Sequence, residues 1–412
     1  MNYYSKRRAA LASHLKDGDL VVIFAGGSVR NSGDSCFVYE ANRNYHYLTG
    51  LSEEDGILVM YHLNGSVHEV LYIRDIDPNL EKWVGRFIKP EKAREISGID
   101  DILFVSHFEN NLDLYFNRYG LSNLLLDLDR INAKHRPFEA ELFAKRMRDV
   151  YVGVNIINIH SIICQLRTIK DELEIKLIKE ACQLTKDAIR FAVKNMKAGM
   201  YEYQVMAHYL YHLNMHGATE MFDTIMASGV NGPILHYVAN DQELKDGDLI
   251  LFDLGAKKNE YGADISRTYP INGKFSERQK EIYEIVLGCQ DEVSKHVAPG
   301  ITLLELNNVA IKYFQKELKR IGLIDNDEDV SKYYYHSIGH FLGLDTHDVG
   351  QLNGIKLVPG MVITNEPGLY IQEENIGIRI ETDLLVTVDG CIDLGEGIEK
   401  TVADIEALMS KN

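Results

Sequence analysis

Short apolar runs alternate with helix-like patterns along roughly the first 150 residues of the chain. Runs typical of buried strands occupy residues 20–25, 56–60, 67–73, 102–105 and 123–127. Helical spacing occupies residues 4–16, 109–119 and 137–150. Strands and helices that alternate in this way predict a βαβ-type α/β domain, which we assign to residues 1–160.

The pattern changes between residues 161 and 170, and we assign this segment to a linker. Helical spacing then occupies residues 171–196, 201–216, 276–297 and 303–321, and strand patterns occupy 248–255, 262–270, 361–366 and 377–387. Capping boxes, which satisfy unpaired backbone donors at a helix start, begin two of these helices at Ser276 and Thr302. Helices that precede an antiparallel sheet predict an α+β domain over residues 171–412.

Charge and cysteine content restrict the partners and the compartment. The chain has 412 residues with 44 Lys plus Arg against 61 Asp plus Glu, a net charge of −17. Such a field repels phosphate backbones and anionic lipid headgroups, so neither nucleic acid nor a membrane is an expected partner. The 5 cysteines are scattered and lack CxxC spacing, which disfavours a disulfide framework and a thiolate zinc site and favours the cytoplasm. We therefore expect a cytoplasmic protein without a membrane-spanning segment.

Carboxylates inside apolar strands are the first candidates for chemistry, because an unpaired buried carboxylate is costly unless it is paired or binds metal. Asp253 interrupts LILFDLGA, and Asp264 follows in YGADISRTY. A hairpin centred between Lys258 and Asn259 would place the two side chains about 4.5–5.5 Å apart, close enough to share divalent cations. Alternatively, Asp264 caps a turn and Asp253 ends a strand, and the pair alone does not decide between these interpretations.

Glu366 and Glu381 repeat this arrangement on two further strand patterns with a polar turn at residues 372–375. We expect Pro367 to disturb the first of these strands, because proline cannot donate to a strand ladder. Arg379 precedes Glu381 by two positions, so on a strand it shares that face and can neutralise negative charge. An Arg in this position is otherwise most often part of a solvated surface pair.

Histidines supply the third element, in HSIGH (His336 and His340), at His347, and in PILHY (His236). Gly339 argues against a helix, and the zinc motif HExxH does not occur in the sequence. We expect the glycines of this segment, Gly339 and Gly343, to let the backbone approach a ligand closely. His236, taken alone, is better explained as an ordinary partly buried histidine.

These segments together resemble the pita-bread metallopeptidases, and in particular the bacterial aminopeptidase P family. The stretches DLILFDLGA, HSIGHFLGLDTHDVG, PGMVITNEPGLYI and IGIRIETDLLVT carry the resemblance. RNSGDSCFVYEANRNYHYLTGL and IRDIDPNLEKWVGR are similar to the N-terminal domain that this family shares with creatinase. The resemblance implies an α/β N-terminal domain followed by an α+β pita-bread catalytic domain.

The resemblance also implies a centre of two divalent metal ions bridged by a hydroxide. Asp253 would chelate one ion, Asp264 and Glu381 would bridge, and His340 and Glu366 would bind the other ion. Carboxylate-rich ligation favours hard ions, so we expect manganese, with cobalt or zinc as alternatives. Glu366 would also serve as the general base.

The family likeness further implies a hydrolase, a proline-specific aminopeptidase that removes the N-terminal residue from peptides with proline in second position. His236, His336 and His347 would hold the substrate and donate to the tetrahedral intermediate, and Arg379 would balance the charge of the metal cluster. Tyr370 is assigned to the substrate cleft. Trp83 is assigned to the cleft and to a subunit contact, which implies a homodimer or homotetramer.

Two substitutions and two loops depart from the family pattern. Ser266 stands where the family often has Thr, and Asn365 stands where an aliphatic residue is common. The loops at residues 350–358 and after Tyr370 look shorter than in some relatives, and such loops line the substrate cleft.

Four alternatives differ in class or specificity. A prolidase that cleaves only dipeptides shares the ligands and is the nearest alternative. A metal-free creatinase-like amidinohydrolase is disfavoured by the full ligand set, and a catalytically inactive binding module should have lost ligands. A mononuclear iron oxygenase with His340, His347 and Asp348 would leave the four strand carboxylates unexplained.

Overall fold

The computed structural model describes residues 2–130, 132–350 and 354–410. The chain divides into two compact units, Met1–Arg167 and Thr168–Asn412. This division falls inside the predicted linker, residues 161–170, but most of that segment is helical. Ile163 and Arg167 are one turn apart and both buried, so the segment has a buried helical face rather than the solvated character of a linker. The predicted loop at residues 350–358 lies partly outside the described residues.

The N-terminal unit is built on a six-stranded mixed sheet in the order β6-β5-β4-β1-β7-β8. Its strands are β1 (Asp19–Phe24), β4 (Ile57–Leu63), β5 (Ser66–Ile73), β6 (Asp101–Phe104), β7 (Asn123–Leu126) and β8 (Asn155–Asn158), and β2 (Arg30–Ser32) and β3 (Ser35–Cys36) form a separate hairpin. Its helices are α1 (Tyr3–Ala12), α2 (Arg43–Thr49), α3 (Glu81–Val84), α4 (Pro90–Ser97), α5 (Phe108–Asp113), α6 (Glu139–Val150) and α7 (His160–Thr168). The predicted α/β class is confirmed.

The pairing directions in this sheet determine which residues meet at its edges. β1 pairs with β4 in antiparallel orientation, whereas β7 pairs in parallel with both β1 and β8. All five predicted strands occur, and the sequence missed β8, whose four residues include only two apolar ones. Because β7 and β8 are parallel, the residues that follow them lie at the same edge of the sheet.

The second unit contains short antiparallel sheets and long helices. The helices are α8 (Glu172–Asn195), α9 (Glu202–Met215), α10 (Glu277–His296), α11 (Leu303–Arg320) and α12 (Val402–Met409). The strands are β9 (Thr219–Glu220), β10 (Ile225–Ser228), β11 (Leu249–Leu254), β12 (Ala256–Lys258), β13 (Tyr261–Gly262), β14 (Ile265–Pro270), β15 (Val362–Asn365), β16 (Gly368–Ile371), β17 (Ile376–Arg379), β18 (Thr382–Val386) and β19 (Cys391–Asp393). The sequence predicted the four long helices almost to the residue, and both capping boxes, at Ser276 and Thr302, are present.

The hairpin that carries Asp253 has a different register from the predicted one. Lys258 pairs with Tyr261, so the turn is centred between Asn259 and Glu260, and Asp253 lies opposite Ser266 rather than Asp264. Asn259 and Glu260 both have positive φ, 51° and 70°. Such a turn matches the right-handed twist of its strands, which explains why the centre lies one residue beyond the predicted position.

Among the helices of the described residues, none combines the length and the apolar character that a membrane crossing requires.

Candidate metal centre

The candidate carboxylates lie at or beside interruptions between short strands. Asp264 directly precedes β14, and Glu366 directly follows β15. The predicted strand over residues 377–387 is divided into β17 and β18 at Glu381, where the backbone changes partners and the Glu381 N–H donates to the Ser266 carbonyl, 3.0 Å away. Asn365 pairs with Thr382 and Gly368 with Arg379, a single register that sets Glu366 opposite Glu381. These breaks therefore turn acidic side chains from two hairpins toward one place.

His340 completes the cluster. Its Nδ1–H donates to the Phe341 carbonyl at 2.9 Å, and Nε2 faces Asp264 Oδ2 at 3.4 Å and Glu366 Oε1 at 3.6 Å. Donor atoms of Asp264, His340 and Glu381 all lie within 4.8 Å of one another. A ring held through Nδ1, with Nε2 turned toward the other donor groups, is the usual arrangement for a metal-ligating histidine.

Gly339 brings the histidine segment against strand β15. A Cβ at residue 339 would lie 2.2 Å from the Thr364 carbonyl oxygen, so only glycine fits. The His340 N–H donates to Thr364 Oγ1 at 3.0 Å, and the Thr364 N–H donates to the His340 carbonyl at 2.9 Å. Gly343 is similarly close to the Asp348 carboxylate. Both glycines therefore make room for other parts of the protein, a role that the sequence did not predict for them.

Arg379 is buried and connects the two hairpins. Its Nη2 pairs with Asp253, its Nε donates to Ser266 Oγ at 2.8 Å, and its Nη1 donates to the Tyr370 hydroxyl at 3.0 Å. Ser266 Oγ in turn donates to Glu381 Oε2 at 2.7 Å. The alternative of a solvated surface pair is wrong for this arginine, which holds two of the candidate ligands in place.

The cluster carries excess negative charge, because it contains four carboxylates and only one guanidinium, that of Arg379. Burial raises the pKa of Asp253, Glu366 and Glu381, and neighbouring carboxylates raise it further, while Arg379 opposes the shift. Burial disfavours the charged His340 ring, but Asp264 and Glu366 raise its pKa to about 9. The donor set is oxygen-rich with one imidazole, and its four carboxylates outnumber the single guanidinium of Arg379, so the set fits divalent cations.

Both ring nitrogens of His336 are engaged by other groups of the protein. Nδ1 donates to the Ser337 carbonyl at 2.7 Å, and Nε2 lies 2.9 Å from the Tyr370 hydroxyl. Burial and the charge of Arg379 lower the pKa of His336 to about 4, so the ring is neutral near pH 7 and Nε2 accepts the Tyr370 proton. The single ring proton of His336 is thus already donated to the protein backbone.

A cavity of about 350 Å³ contains the site. It is lined by the five predicted metal ligands, by Arg379, and by His236, His336 and His347. Sequence analysis missed the other lining residues, Phe222, Asp223, Ile225, Leu235, Val238 and Thr346. Leu235 and Val238 are sequence neighbours of His236, so the motif around His236 could have predicted them. The local sequence around Phe222 and Asp223 contains no pattern that indicates a site. His347 packs edge-on against His340, with ring centroids 4.3 Å apart.

Two sequence assignments lie outside this cavity, and a third concerns a residue of the N-terminal unit. Tyr370 is 2% exposed and is not among the residues that line the cavity, where we had assigned it to the substrate cleft. Trp83 lies on α3 of the N-terminal unit and is 87% exposed. Asp348 forms a buried ion pair with Lys170 at 2.9 Å, so the His340, His347 and Asp348 set required for a mononuclear iron site is not assembled.

The geometry defines a metallohydrolase centre, and the comparisons with known proteins agree. Residues 176–388 match the model of metallopeptidase family M24, and residues 4–123 match that of the aminopeptidase P N-terminal domain. The chain therefore belongs to metallopeptidase family M24. It is a metallo-exopeptidase with a pita-bread catalytic domain, which confirms the fold and family inferred from the sequence.

Relatives cover nearly the whole chain. The Xaa-Pro aminopeptidase of Escherichia coli is 32% identical over 98% of this chain and 97% of its own length. A structure provisionally assigned to aminopeptidase P from Bacillus anthracis is 43% identical with a TM-score of 0.98, covering 100% of this chain and 98% of that chain. Aminopeptidase P from E. coli with the inhibitor Pro-Leu is 32% identical with a TM-score of 0.91, covering 99% and 98%.

Proposed function

We propose that this protein hydrolyses the first peptide bond of peptides with proline in second position and so acts as an Xaa-Pro aminopeptidase. The observation that carries the proposal is the complete ligand set, Asp253, Asp264, His340, Glu366 and Glu381, within one cavity. The names of its relatives and the Pro-Leu inhibitor of the E. coli structure support the proline specificity.

The five ligands would hold two divalent ions, which when bound supply Lewis-acid polarisation of the scissile carbonyl and activation of a water. We assign the bridging positions to Asp264 and Glu381 and the general base to Glu366. Glu366 suits this role because its carboxylate lines the cavity while its backbone N–H is fixed to the Ile338 carbonyl at 2.9 Å. Manganese is the proposed metal, since carboxylates outnumber nitrogen donors, and cobalt or zinc are the alternatives.

The histidines divide into two groups in this proposal. His236 and His347 line the cavity and are the donors to the substrate and to the developing oxyanion. His336 is reassigned, because its ring proton is engaged with the Ser337 carbonyl. We place it as a positioning residue that holds the Tyr370 hydroxyl, which accepts from Arg379, the partner of Asp253.

Assembly and compartment form a further part of the proposal. Trp83 and Val84 are two large apolar side chains on the short helix α3, 87% and 62% exposed. Neighbouring exposed apolar side chains are typical of interaction surfaces, so we propose a homodimer or homotetramer in which Trp83 closes the substrate cleft of another chain. The five free cysteines support a cytoplasmic location.

The decisive experiment is a peptide series assayed with manganese, cobalt or zinc after chelation of the purified protein. We expect release of the first residue from Xaa-Pro-Xaa tripeptides and longer peptides, but not from matched peptides with alanine in second position. Hydrolysis of Xaa-Pro dipeptides alone would identify a prolidase instead. Equal cleavage of the proline and alanine series would contradict the proposed specificity.

A further inference from the structure

A second histidine–carboxylate cluster lies in the N-terminal unit, at the edge of the sheet where the parallel strands β7 and β8 end. Asp127 directly follows β7, and His160 begins α7 shortly after β8. His160 Nδ1 donates to Asp127 Oδ1 at 2.6 Å, and His160 Nε2 lies 3.1 Å from Cys164 Sγ, one helical turn along α7. The imidazole therefore stands between a carboxylate and a thiol.

Buried polar side chains fix the position of Asp127, which in turn orients His160. The second Asp127 oxygen accepts from Asn44 Nδ2 at 2.8 Å, and the Asn44 Oδ1 accepts from Arg167 Nη1 at 2.8 Å. Asn44, Asp127 and Arg167 are all buried. Because the Nδ1–H of His160 donates its hydrogen bond to Asp127, Nε2 is the ring nitrogen that faces the Cys164 thiol.

The arrangement meets the geometric requirements for an activated thiol. A base lies within hydrogen-bond reach of the nucleophile, and a third group orients that base. The hydrogen bond to Asp127, then the interaction with Cys164, raises the pKa of His160 to about 10, so the ring keeps a proton near neutral pH. Asp129, whose Oδ1 lies 3.7 Å from His160 Nε2, adds negative charge that also favours the imidazolium. A cationic imidazole beside a thiol stabilises the thiolate.

We propose that Cys164 is a modification site, a sulfur nucleophile activated by the His160 imidazolium that reacts with hydroperoxides and other soft electrophiles. With hydrogen peroxide, the sulfur attacks one oxygen, the S–O bond forms and the O–O bond breaks. The hydroxide that leaves takes the proton of His160, which gives a sulfenic acid, a neutral imidazole and water. The sulfur is oxidised by two electrons, and the peroxide is reduced.

The chain contains two internal controls for this reactivity. Cys391 is half-buried like Cys164, but its Sγ lies 3.5 Å from the Ser294 carbonyl, and burial together with Asp393 raises the pKa of its thiol. Cys36 is exposed on β3 and provides an accessible reference. An unperturbed thiol is only a few per cent ionised at pH 7, and a neighbouring cation that stabilises the thiolate accelerates alkylation about threefold after the lower intrinsic nucleophilicity of such a thiolate is allowed for.

The test measures alkylation rates of each cysteine in the folded, full-length protein at pH 7 by limiting iodoacetamide labelling and peptide mass spectrometry. We expect Cys164 to react about threefold faster than Cys36, and to exceed the rate of Cys391 by a larger factor. Brief exposure to hydrogen peroxide with dimedone should place the sulfenic acid adduct on Cys164. If Cys164 of the wild-type protein is alkylated no faster than Cys391, the proposal is wrong.

Variants then test the role of the imidazole. His160→Gln should slow the Cys164 reaction about threefold, and Asp127→Asn should also slow it, while Cys36 and Cys391 keep their rates. The unchanged rates of Cys36 and Cys391 also report that the variant is folded. If His160→Gln leaves the Cys164 rate unchanged in such a folded protein, His160 does not activate the thiol and the proposal is wrong.

Discussion

The histidine clusters of the two units use the same local device for different chemistry. In each, Nδ1–H is held by a fixed acceptor, the Phe341 carbonyl for His340 and the Asp127 carboxylate for His160. In the catalytic unit Nε2 faces Asp264 and Glu366, whereas in the N-terminal unit it faces the Cys164 thiol. The orientation of the ring is thus shared, and the group that faces Nε2 determines what the cluster can do.

The two clusters also differ in their balance of negative and positive charge. Four carboxylates and one guanidinium surround His340, which leaves a negative excess that divalent cations can balance. Around His160, Asp127 is already engaged by Asn44 and by the imidazole itself, so one protonated ring satisfies the main carboxylate. In this chain several converging carboxylates form the candidate metal centre, while a single well-held carboxylate orients the imidazole that we propose activates a thiol.

The largest predicted effect comes from removing a bridging carboxylate. Asp264→Ala or Glu381→Ala should abolish the binding of both ions and lower turnover by more than the 10–100-fold typical of losing an outer partner. Metal content by mass spectrometry and turnover of an Xaa-Pro-Xaa peptide measure this. Asp127→Asn is the matched control in the other cluster and should leave both unchanged. Two bound ions with normal activity in Asp264→Ala or Glu381→Ala would contradict the assignment of bridges.

His347→Ala removes a cavity donor without removing a ligand. Loss of one donor to a developing oxyanion typically lowers turnover by about 10²–10³, and we expect two ions to remain bound. A fall to one ion per chain would show that His347 is a ligand rather than a donor.

Substitutions of residues that hydrogen-bond to the ligands or to Arg379 should have smaller effects on metal affinity and turnover. Ser266→Ala removes the hydroxyl between Arg379 and Glu381, and Tyr370→Phe removes the hydroxyl between Arg379 and His336. Each should lower metal affinity or turnover by about 10–100-fold. His336→Gln should resemble Tyr370→Phe, since both act through the same hydroxyl. If His336→Gln instead has the larger loss expected for His347→Ala, His336 contacts the substrate directly and its reassignment is wrong.

These two clusters also differ in how far the sequence could predict them. Asp253, Asp264, Glu366 and Glu381 could be found because charged residues inside apolar strands are unusual. The register of the first hairpin could not, because the positive φ values of Asn259 and Glu260 moved the turn beyond the symmetric position. The site around His160 was not found at all, since its residues follow different strands and only the parallel pairing of β7 with β8 brings them together.

Hydrogen bonding also limited the prediction of roles. Sequence likeness grouped His336 with His236 and His347, but only the structure shows that the His336 proton is donated to the Ser337 carbonyl. Tyr370 was assigned to the substrate cleft, yet its hydroxyl is buried between Arg379 and His336. An aromatic residue beside a site motif indicates proximity, and the direction of its side chain depends on packing that the sequence does not specify.

The His160 cluster predicts a pH-dependent stability. Asp127 and Cys164 raise the pKa of His160 from 6.5 to about 10, so the folded state keeps a proton that the unfolded chain loses. The resulting stabilisation is fully present below pH 6.5 and is lost as the pH rises toward 10. Because the His160 ring is partly exposed and solvent screens the pair, we expect a contribution of only about 1–2 kcal/mol.

Denaturant unfolding at pH 6 and pH 9.5 of the wild-type protein and Asp127→Asn measures this contribution. Asp129 and Cys164 also face the ring but are present in both proteins, so the difference isolates Asp127. We expect the destabilisation by Asp127→Asn to be larger at pH 6 than at pH 9.5. A difference independent of pH would show that Asp127 does not hold the proton on His160.

The smallest predicted effect concerns α3, which belongs to neither cluster. If the exposed Trp83 closes the cleft of another chain, Trp83→Ala should raise KM for longer proline peptides about fivefold, which corresponds to about 1 kcal/mol for one aromatic contact. Neither kcat nor metal content should change, because Trp83 contributes no donor to the centre. Val84→Ala, on the same helix, is the matched control for loss of apolar surface, and light scattering at assay concentration reports the assembly. A fully active monomer would contradict both the oligomer and the role of Trp83, because an aromatic side chain from a second chain could not then reach the substrate.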